Sequence, residues 1–445
     1  MHCTQRTFTP SRFAVVIAGW IIAISVNALP FILSGTYTIS QSFFESVSGW
    51  TTTGLSIVNV DIAPHVVLIH RSIILFFGGI GIVLSVLFFM NGRGALSLYN
   101  AEGHSDMLAP NVRKSARYII YIYTGYIATG ILLYCLCGMN FFDAFNHSIA
   151  AISTGGFSTH SASIGYYNSV SIEVVTEILM ILGNTNFFIH LLFLTGKWKN
   201  VFLYCETKTI SVILAIAIPI SAFIFYKCIF PFAGDIPLSI RASTFQTVSA
   251  LTTTGFQTVE SFSTLPSSLI FLLTILMLIG GGTGSTAGGI KQFRIYTLFH
   301  SLIWTIQDLF SNQNVVRIHK LRYQNRFIPA DKDERLNTLS FILLYMVFFF
   351  TRTAILTFYD YNLGDSMFEI ASALGTVGLS TNIMTANSPN LILWTGSVCM
   401  FLGRVEIYLF IYATMRFLKD TKALCTKNKT HNCQQNLKGS KHEIL

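Results

Sequence analysis

Six stretches of this chain are apolar over about the 20 helical residues that cross a hydrocarbon core of about 30 Å. They are Phe13–Leu33, Val66–Met90, Tyr118–Gly138, Thr209–Phe232, Leu265–Gly289 and Leu339–Phe358. Two more, Ile172–Thr195 and Leu391–Phe417, cross only if Glu173, Glu177, Arg404 and Glu406 are tolerated. The pattern predicts an all-α polytopic membrane protein with eight transmembrane helices. An even number of crossings returns both termini to one side.

The four segments that join these helices in pairs resemble one another, and an internal repeat outranks any single motif. They read Phe-Phe-Glu-Ser-Val-Ser-Gly-Trp-Thr-Thr-Thr-Gly-Leu (43–55) and Phe-Asn-His-Ser-Ile-Ala-Ala-Ile-Ser-Thr-Gly-Gly-Phe (145–157). The third is Thr-Phe-Gln-Thr-Val-Ser-Ala-Leu-Thr-Thr-Thr-Gly-Phe (244–256), and the fourth is Met-Phe-Glu-Ile-Ala-Ser-Ala-Leu-Gly-Thr-Val-Gly-Leu (367–379). In register stand Gly54, Gly156, Gly255 and Gly378.

Each segment opens as an amphipathic run of about ten residues, half the length of a membrane crossing. Irregular backbone at membrane depth is tolerated only where protein buries it or it lines a watery cavity. Four copies around one axis would turn the negative helix C-termini toward that axis. The backbone that follows could then offer carbonyl oxygens in place of a cation's hydration shell. The candidate ion ligands are Thr52, Thr53 and Gly54; Thr154, Gly155 and Gly156; Thr253, Thr254 and Gly255; and Thr376, Val377 and Gly378. Glycine fits because carbonyls that face one way need φ values closed to residues with a Cβ. The chain divides accordingly into pore repeats at 13–92, 116–196, 209–295 (its second helix broken) and 336–418. A cytoplasmic loop at 296–335 and a cytoplasmic tail at 419–445 complete the division.

Composition agrees with a lipid solvent. Hydrophobic residues make up 52% of the chain and charged residues 11%, against about 25% charged in soluble domains. Soluble, disordered and fibrous classes are excluded. The net charge of +9 invites a nucleic-acid reading, but 24 of the 29 Lys and Arg residues fall on one face of the predicted topology. By the positive-inside rule that face is cytoplasmic, as are both termini. The basic excess is therefore topological, and nucleic acid is not an expected partner. The first apolar run is long and lacks a small-residue cleavage pattern, so no cleavable signal peptide is expected. The eight Cys are scattered without a Cys-x-x-Cys pair, and Cys135 and Cys137 read as small hydrophobes.

Gly282-Thr-Gly-Ser-Thr-Ala287 satisfies the dinucleotide pattern G-x-G-x-x-A. The run before it is too long for a strand, and no parallel sheet surrounds it. A broken transmembrane helix facing a cavity explains the stretch better, with Lys291 and Arg294 at its cytoplasmic mouth. Arg404 lies about halfway along the eighth crossing, where a lone arginine costs about 3 kcal/mol and so needs water or a partner. An acid on another helix and a pore-facing position both satisfy it. Arg71 and Arg352 read as structural pairs. Glu45, His147, Gln246 and Glu369 share one position, nine residues before each register glycine. They either enrich cations at the outer mouth or hydrogen-bond neighbours that hold the segment in place. His147 and His160 flank the second segment and could confer pH sensitivity.

The chain resembles the membrane subunits of the Trk/Ktr/HKT superfamily of potassium transporters, in which one chain carries four helix–pore loop–helix repeats. The resemblance runs from about Phe13 to Phe417. Its most specific matches are Ser-Thr-Gly-Gly-Phe-Ser-Thr-His (153–160), Gly-Gly-Ile-Gly (78–81), Gly-Ser-Thr-Ala-Gly-Gly-Ile-Lys (284–291) and Phe-Leu-Gly-Arg-Val-Glu-Ile (401–407). Asn186 and His190 resemble the Trk branch, whereas the fourth segment is closer to Ktr. Trk members usually carry two further N-terminal crossings, and here 12 residues precede Phe13.

The resemblance implies potassium uptake across the inner (plasma) membrane of a prokaryote. It implies that Gly280, Gly281, Gly282, Gly284, Ser285, Gly288 and Gly289 form an intramembrane loop that obstructs the pore and moves in gating. Arg404 would be a positive barrier just below the filter. No cofactor is expected in this chain, only potassium as the transported ion. Nucleotide is expected on a separate cytoplasmic regulatory subunit, with a homodimer in the bilayer. Arg317–Arg326 could dock that subunit or anionic lipid. All four register positions are Gly, whereas the plant members associated with sodium carry Ser at the first. This favours potassium over a sodium or poorly selective pathway. A polytopic enzyme would need acid–base pairs or metal ligands at one depth, and the sequence shows none.

Overall fold

The computed structural model describes residues 11–81, 84, 111–229, 234–310, 319–323, 326–330, 332–408, 410–412 and 414–415. The expected ends of three crossings (85–90, 230–232, 416–417), most of the first basic loop, residues 317–318 of the basic stretch and the tail 419–445 lie outside the described residues.

The chain repeats one unit four times: a long helix, a short helix, a Thr-x-Gly segment and an exit helix. The first unit holds α1 (Ser11–Leu33), α2 (Ile39–Trp50) and α3 (His65–Ile80). The second holds α4 (Val112–Leu136), α5 (Phe141–Ile152), α6 (Val170–Asn184) and α7 (Phe187–Leu194). After the single turn α8 (Trp198–Leu203), the third unit holds α9 (Cys205–Cys228), α10 (Ile236–Leu251), α11 (Ser267–Ile279) and α12 (Gln292–Leu309). The fourth holds α13 (Lys332–Thr357), α14 (Leu363–Gly375) and α15 (Asn390–Val405). Between the third and fourth units lies an antiparallel hairpin, β1 (Lys320–Tyr323) with β2 (Arg326–Pro329). The hairpin departs from the all-α expectation.

Among the described residues, four continuous helices are long and apolar enough to cross a membrane, and they are the first helices of the four units. The exit helices differ from the expected continuous crossings. α3 stops at Gly81 (φ 90), and α6 and α7 meet at 110° across Thr185 and Asn186. α11 stops at Gly280 (φ 69), and α15 stops at Glu406 (φ 63). A break was expected only in the third unit, where glycines are dense. Elsewhere it rests on single residues, such as Asn186, whose side chain accepts the Phe188 N–H at 2.7 Å and starts α7.

Each exit helix packs on the short helix of the next unit: α3 on α5, α6 on α10, α11 on α14, and α15 back on α2. The four units therefore close into a ring. In the first, second and fourth units glycines permit the approach of the exit helix to its own short helix. A Cβ at Gly78, Gly183 or Gly403 would run into the carbonyl of Trp50, Ile152 or Leu374.

Candidate functional site

The four short helices begin at side-chain caps. Thr38, Asn140, Asp235 and Asn362 each accept a backbone N–H of the first turn. Their far ends also match. The N–H of Thr52, Thr154, Thr253 and Thr376 reaches the carbonyl three residues back. The next N–H, of Thr53, Gly155, Thr254 or Val377, reaches five back at 2.8–3.1 Å. This paired closure is a Schellman motif, whose left-handed position is normally glycine. Here threonine occupies it four times, at φ 53, 53, 55 and 51. The sequence carried the signal as a Thr two residues before every register glycine.

Beyond the threonines, the register glycines also take positive φ: 94, 59, 86 and 101 at Gly54, Gly156, Gly255 and Gly378. A Cβ at Gly54 would stand 2.5 Å from the carbonyl oxygen of Gly155. One at Gly156 would meet that of Thr254, one at Gly255 that of Val377, and one at Gly378 that of Thr53. The oxygens so met belong to one equivalent position in the next unit. The four Thr-x-Gly segments thus face one axis and close a ring at the closest approach glycine allows. Every candidate ligand residue from Thr52 to Gly378 lies in it.

The four polar residues nine positions earlier are buried, at no more than 1% exposure, and serve as straps. Glu45 accepts from Ser56 Oγ (2.9 Å) and the Ile57 N–H (3.0 Å). Glu369 accepts from Ser380 Oγ (2.9 Å) and from the N–H groups of Thr381 and Met384. His147 Nε2 meets Ser158 Oγ at 2.9 Å, and Gln246 Nε2 donates to Thr258 Oγ1 at 3.2 Å. Each ties its short helix to the chain just beyond the register glycine. Arg71 pairs with Glu45 at 2.8 Å and lies over the Phe157 ring of the second unit. His160 pairs with Asp143 at 3.0 Å and stacks on Tyr166. Tyr167, in the 163–167 turn outside the crossings, donates to Asp143 at 2.7 Å. Burial, then this bond, raises its hydroxyl pKa.

The glycine-rich loop 280–291 lies against these segments. Thr286 Oγ1 donates to the carbonyls of Gly183 (2.8 Å) and Ile152 (3.0 Å) and accepts from Thr154 Oγ1 (3.2 Å). The Gly288 N–H donates to Thr253 Oγ1 at 2.9 Å. The Thr283 N–H donates to the buried Glu206 at 2.7 Å. Arg404 donates to the carbonyl of Thr286 in this loop and to Gly78 and Gly79 (3.1 Å) at the end of α3. It therefore clasps the loop to the first unit across the ring. Lys291 donates back to the Ala287 carbonyl. Arg294 pairs with Glu406 at 2.9 Å. One cavity is lined by Gly79, Ser285, Lys291, Arg404 and Glu406. Thr286 and Glu206 were missed in sequence reasoning: Glu206 belongs to no repeat or glycine pattern, and within the glycine-rich stretch only the glycines and Ser285 stood out.

Four repeated helical units closed into a ring, with long apolar first helices, define a polytopic helical membrane protein. The family model described as "Cation transport protein", TrkH, matches residues 2–421, and the chain belongs to that family. It is 34% identical over 406 residues to the cation transporter MJ1485 of Methanocaldococcus jannaschii, spanning 89% of this chain and 81% of that one. It is 31% identical over 424 residues to the Trk system potassium uptake protein TrkH of Escherichia coli, spanning 92% and 86%. The crystal structure of the potassium transporter TrkH from Vibrio parahaemolyticus superposes with a TM-score of 0.78 at 26% identity, over 92% of this chain and 86% of that one. The chain is a multi-pass membrane transporter and not an enzyme.

Proposed function

We propose that this chain carries potassium into the cell through the ring of Thr-x-Gly segments. The observation that carries the reading is the closed carbonyl ring, in which four equivalent oxygens stand where a register Cβ would be. Backbone carbonyls held this way replace the hydration shell of a large monovalent cation. The names of the relatives from Escherichia coli and Vibrio parahaemolyticus support potassium as that cation. Uptake then follows the electrochemical gradient, with residues 280–289 as the gate and Arg404 as the clasp that holds it shut.

In this reading the exit helices complete eight crossings and both termini lie in the cytoplasm. The repeats occupy 13–92, 116–196, 209–295 and 336–418. The chain works as a homodimer in the inner membrane, with nucleotide bound only on a separate cytoplasmic subunit.

Growth of a potassium-uptake-deficient bacterium on low potassium tests the assignment. Wild type, supplied with a compatible regulatory subunit, restores growth, and Gly156→Ser does not. Wild type present in the membrane without growth rescue or rubidium uptake refutes it.

A further inference from the structure

Threonine at the four left-handed positions is unexplained by backbone geometry, for which glycine would be cheaper. Their hydroxyls supply a reason. Thr253 Oγ1 accepts the Gly288 N–H at 2.9 Å, while Thr154 Oγ1 donates to its neighbouring Ser153 carbonyl at 2.7 Å and only more distantly to Thr286 Oγ1 at 3.2 Å. A Cβ at Gly288 would fall on Thr376 Oγ1, so the loop backbone also reaches the fourth unit. Thr52 Oγ1 and Thr376 Oγ1 are buried without a hydrogen-bond partner among the described residues. The loop thus takes a lone pair from one of the four equivalent hydroxyls, that of Thr253, and leaves those of the others free. A buried hydroxyl without a partner is costly, and such a group is a natural place for an ion or a water to bind.

We propose that the four threonine hydroxyls are shared between the loop and the transported ion. A monovalent cation at the inner end of the ring draws hydroxyl lone pairs toward itself. The Gly288 N–H, a positive dipole end on Thr253 Oγ1, then competes with it directly. Thr286 holds the loop in position for this contest through its bonds to the Gly183 and Ile152 carbonyls. Ion occupancy and loop withdrawal are therefore coupled: the ion favours opening of its own gate, and the closed loop weakens ion binding by the same factor. Thr286 is a positioning residue in this scheme, acting on the ion through the placement of the loop. The inference rests on the potassium reading above.

The test is rubidium uptake by the full-length chain in proteoliposomes, comparing wild type with Thr286→Val and Thr286→Ser. Losing one hydroxyl link of this kind corresponds to about a fivefold change in an equilibrium. Thr286→Val is expected to lower the half-saturating rubidium concentration by about that factor, and Thr286→Ser to keep the wild-type value. A Thr286→Val chain with a higher maximal rate and unchanged half-saturation overturns the proposal, because the loop would then only obstruct. So does Thr286→Ser behaving like Thr286→Val.

A second measurement needs no change at Thr286. Modification of Ser285→Cys by a cytoplasmic thiol reagent is expected to accelerate severalfold in saturating rubidium relative to choline. Unchanged or slower labelling overturns the coupling. A wild-type chain that transports no rubidium overturns the potassium reading instead, and the coupling with it.

Discussion

Threonine held at positive φ costs of order 1–3 kcal/mol, and this chain places one there at Thr52, Thr154, Thr253 and Thr376. The register glycines were legible from the repeat. The repeat also carried a Thr two residues before each of them, but nothing in the sequence marks that threonine as left-handed. The residues nine positions earlier left two readings open in the sequence, a charged mouth or a set of straps, and burial decides for straps. Their energetics follow from what they leave behind. Arg71→Ala strands the Glu45 carboxylate in the interior and is expected to cost about 3–5 kcal/mol. Its thermal midpoint in detergent should fall steeply, and Glu45→Gln with Arg71→Met should recover part of the loss. Glu369→Ala leaves the N–H groups of Thr381 and Met384 without an acceptor, at about 1–3 kcal/mol each. The same melt should show it clearly below Glu369→Gln. A melting point within a degree of wild type for either alanine variant would contradict the strap assignment.

At the scale of elements, the lesson lies in the exit helices. Their apolar composition predicted continuous crossings, since a hydropathy window weighs residue types and not backbone direction. The breaks at Gly81, Asn186 and Glu406 each rest on a single residue that such a window cannot register. Only the glycine-rich third exit helix announced itself. Its loop is held from three sides: by Arg404, by Glu206 at the head of α9, and by Thr286 under the second unit. Removing a holding bond should favour the withdrawn loop. Arg404→Ala and Glu206→Ala are each expected to raise the initial rate of rubidium uptake by roughly tenfold, as the loss of one charge-assisted bond of about 1.5–3 kcal/mol allows. Uptake that falls in both, with the protein present in the membrane, would mean that the loop supports the pathway and does not close it.

For the molecule as a whole, the fourfold repeat and its membrane class were readable from spacing and composition. The order of neighbours around the ring was not, because α15 meets α2 across almost the whole sequence. The asymmetry of Lys and Arg predicts the orientation. Thr36→Cys, on the loop between α1 and α2, should react with an impermeant maleimide in intact cells. Lys320→Cys, on the hairpin, should react only after permeabilisation. The reverse result would invert the topology and with it the direction assigned to the gate.

The central claim is that all four Thr-x-Gly segments line one ion pathway. Rubidium uptake by proteoliposomes carrying Gly54→Ala, Gly156→Ala, Gly255→Ala or Gly378→Ala, one at a time and in equal amounts, tests it most directly. Each added methyl collides with a neighbouring carbonyl at a φ that alanine resists. Overlap and strain of a few kcal/mol predict at least a tenfold loss in every variant. Wild-type uptake in any one of the four would remove that segment from the pathway and contradict the ring.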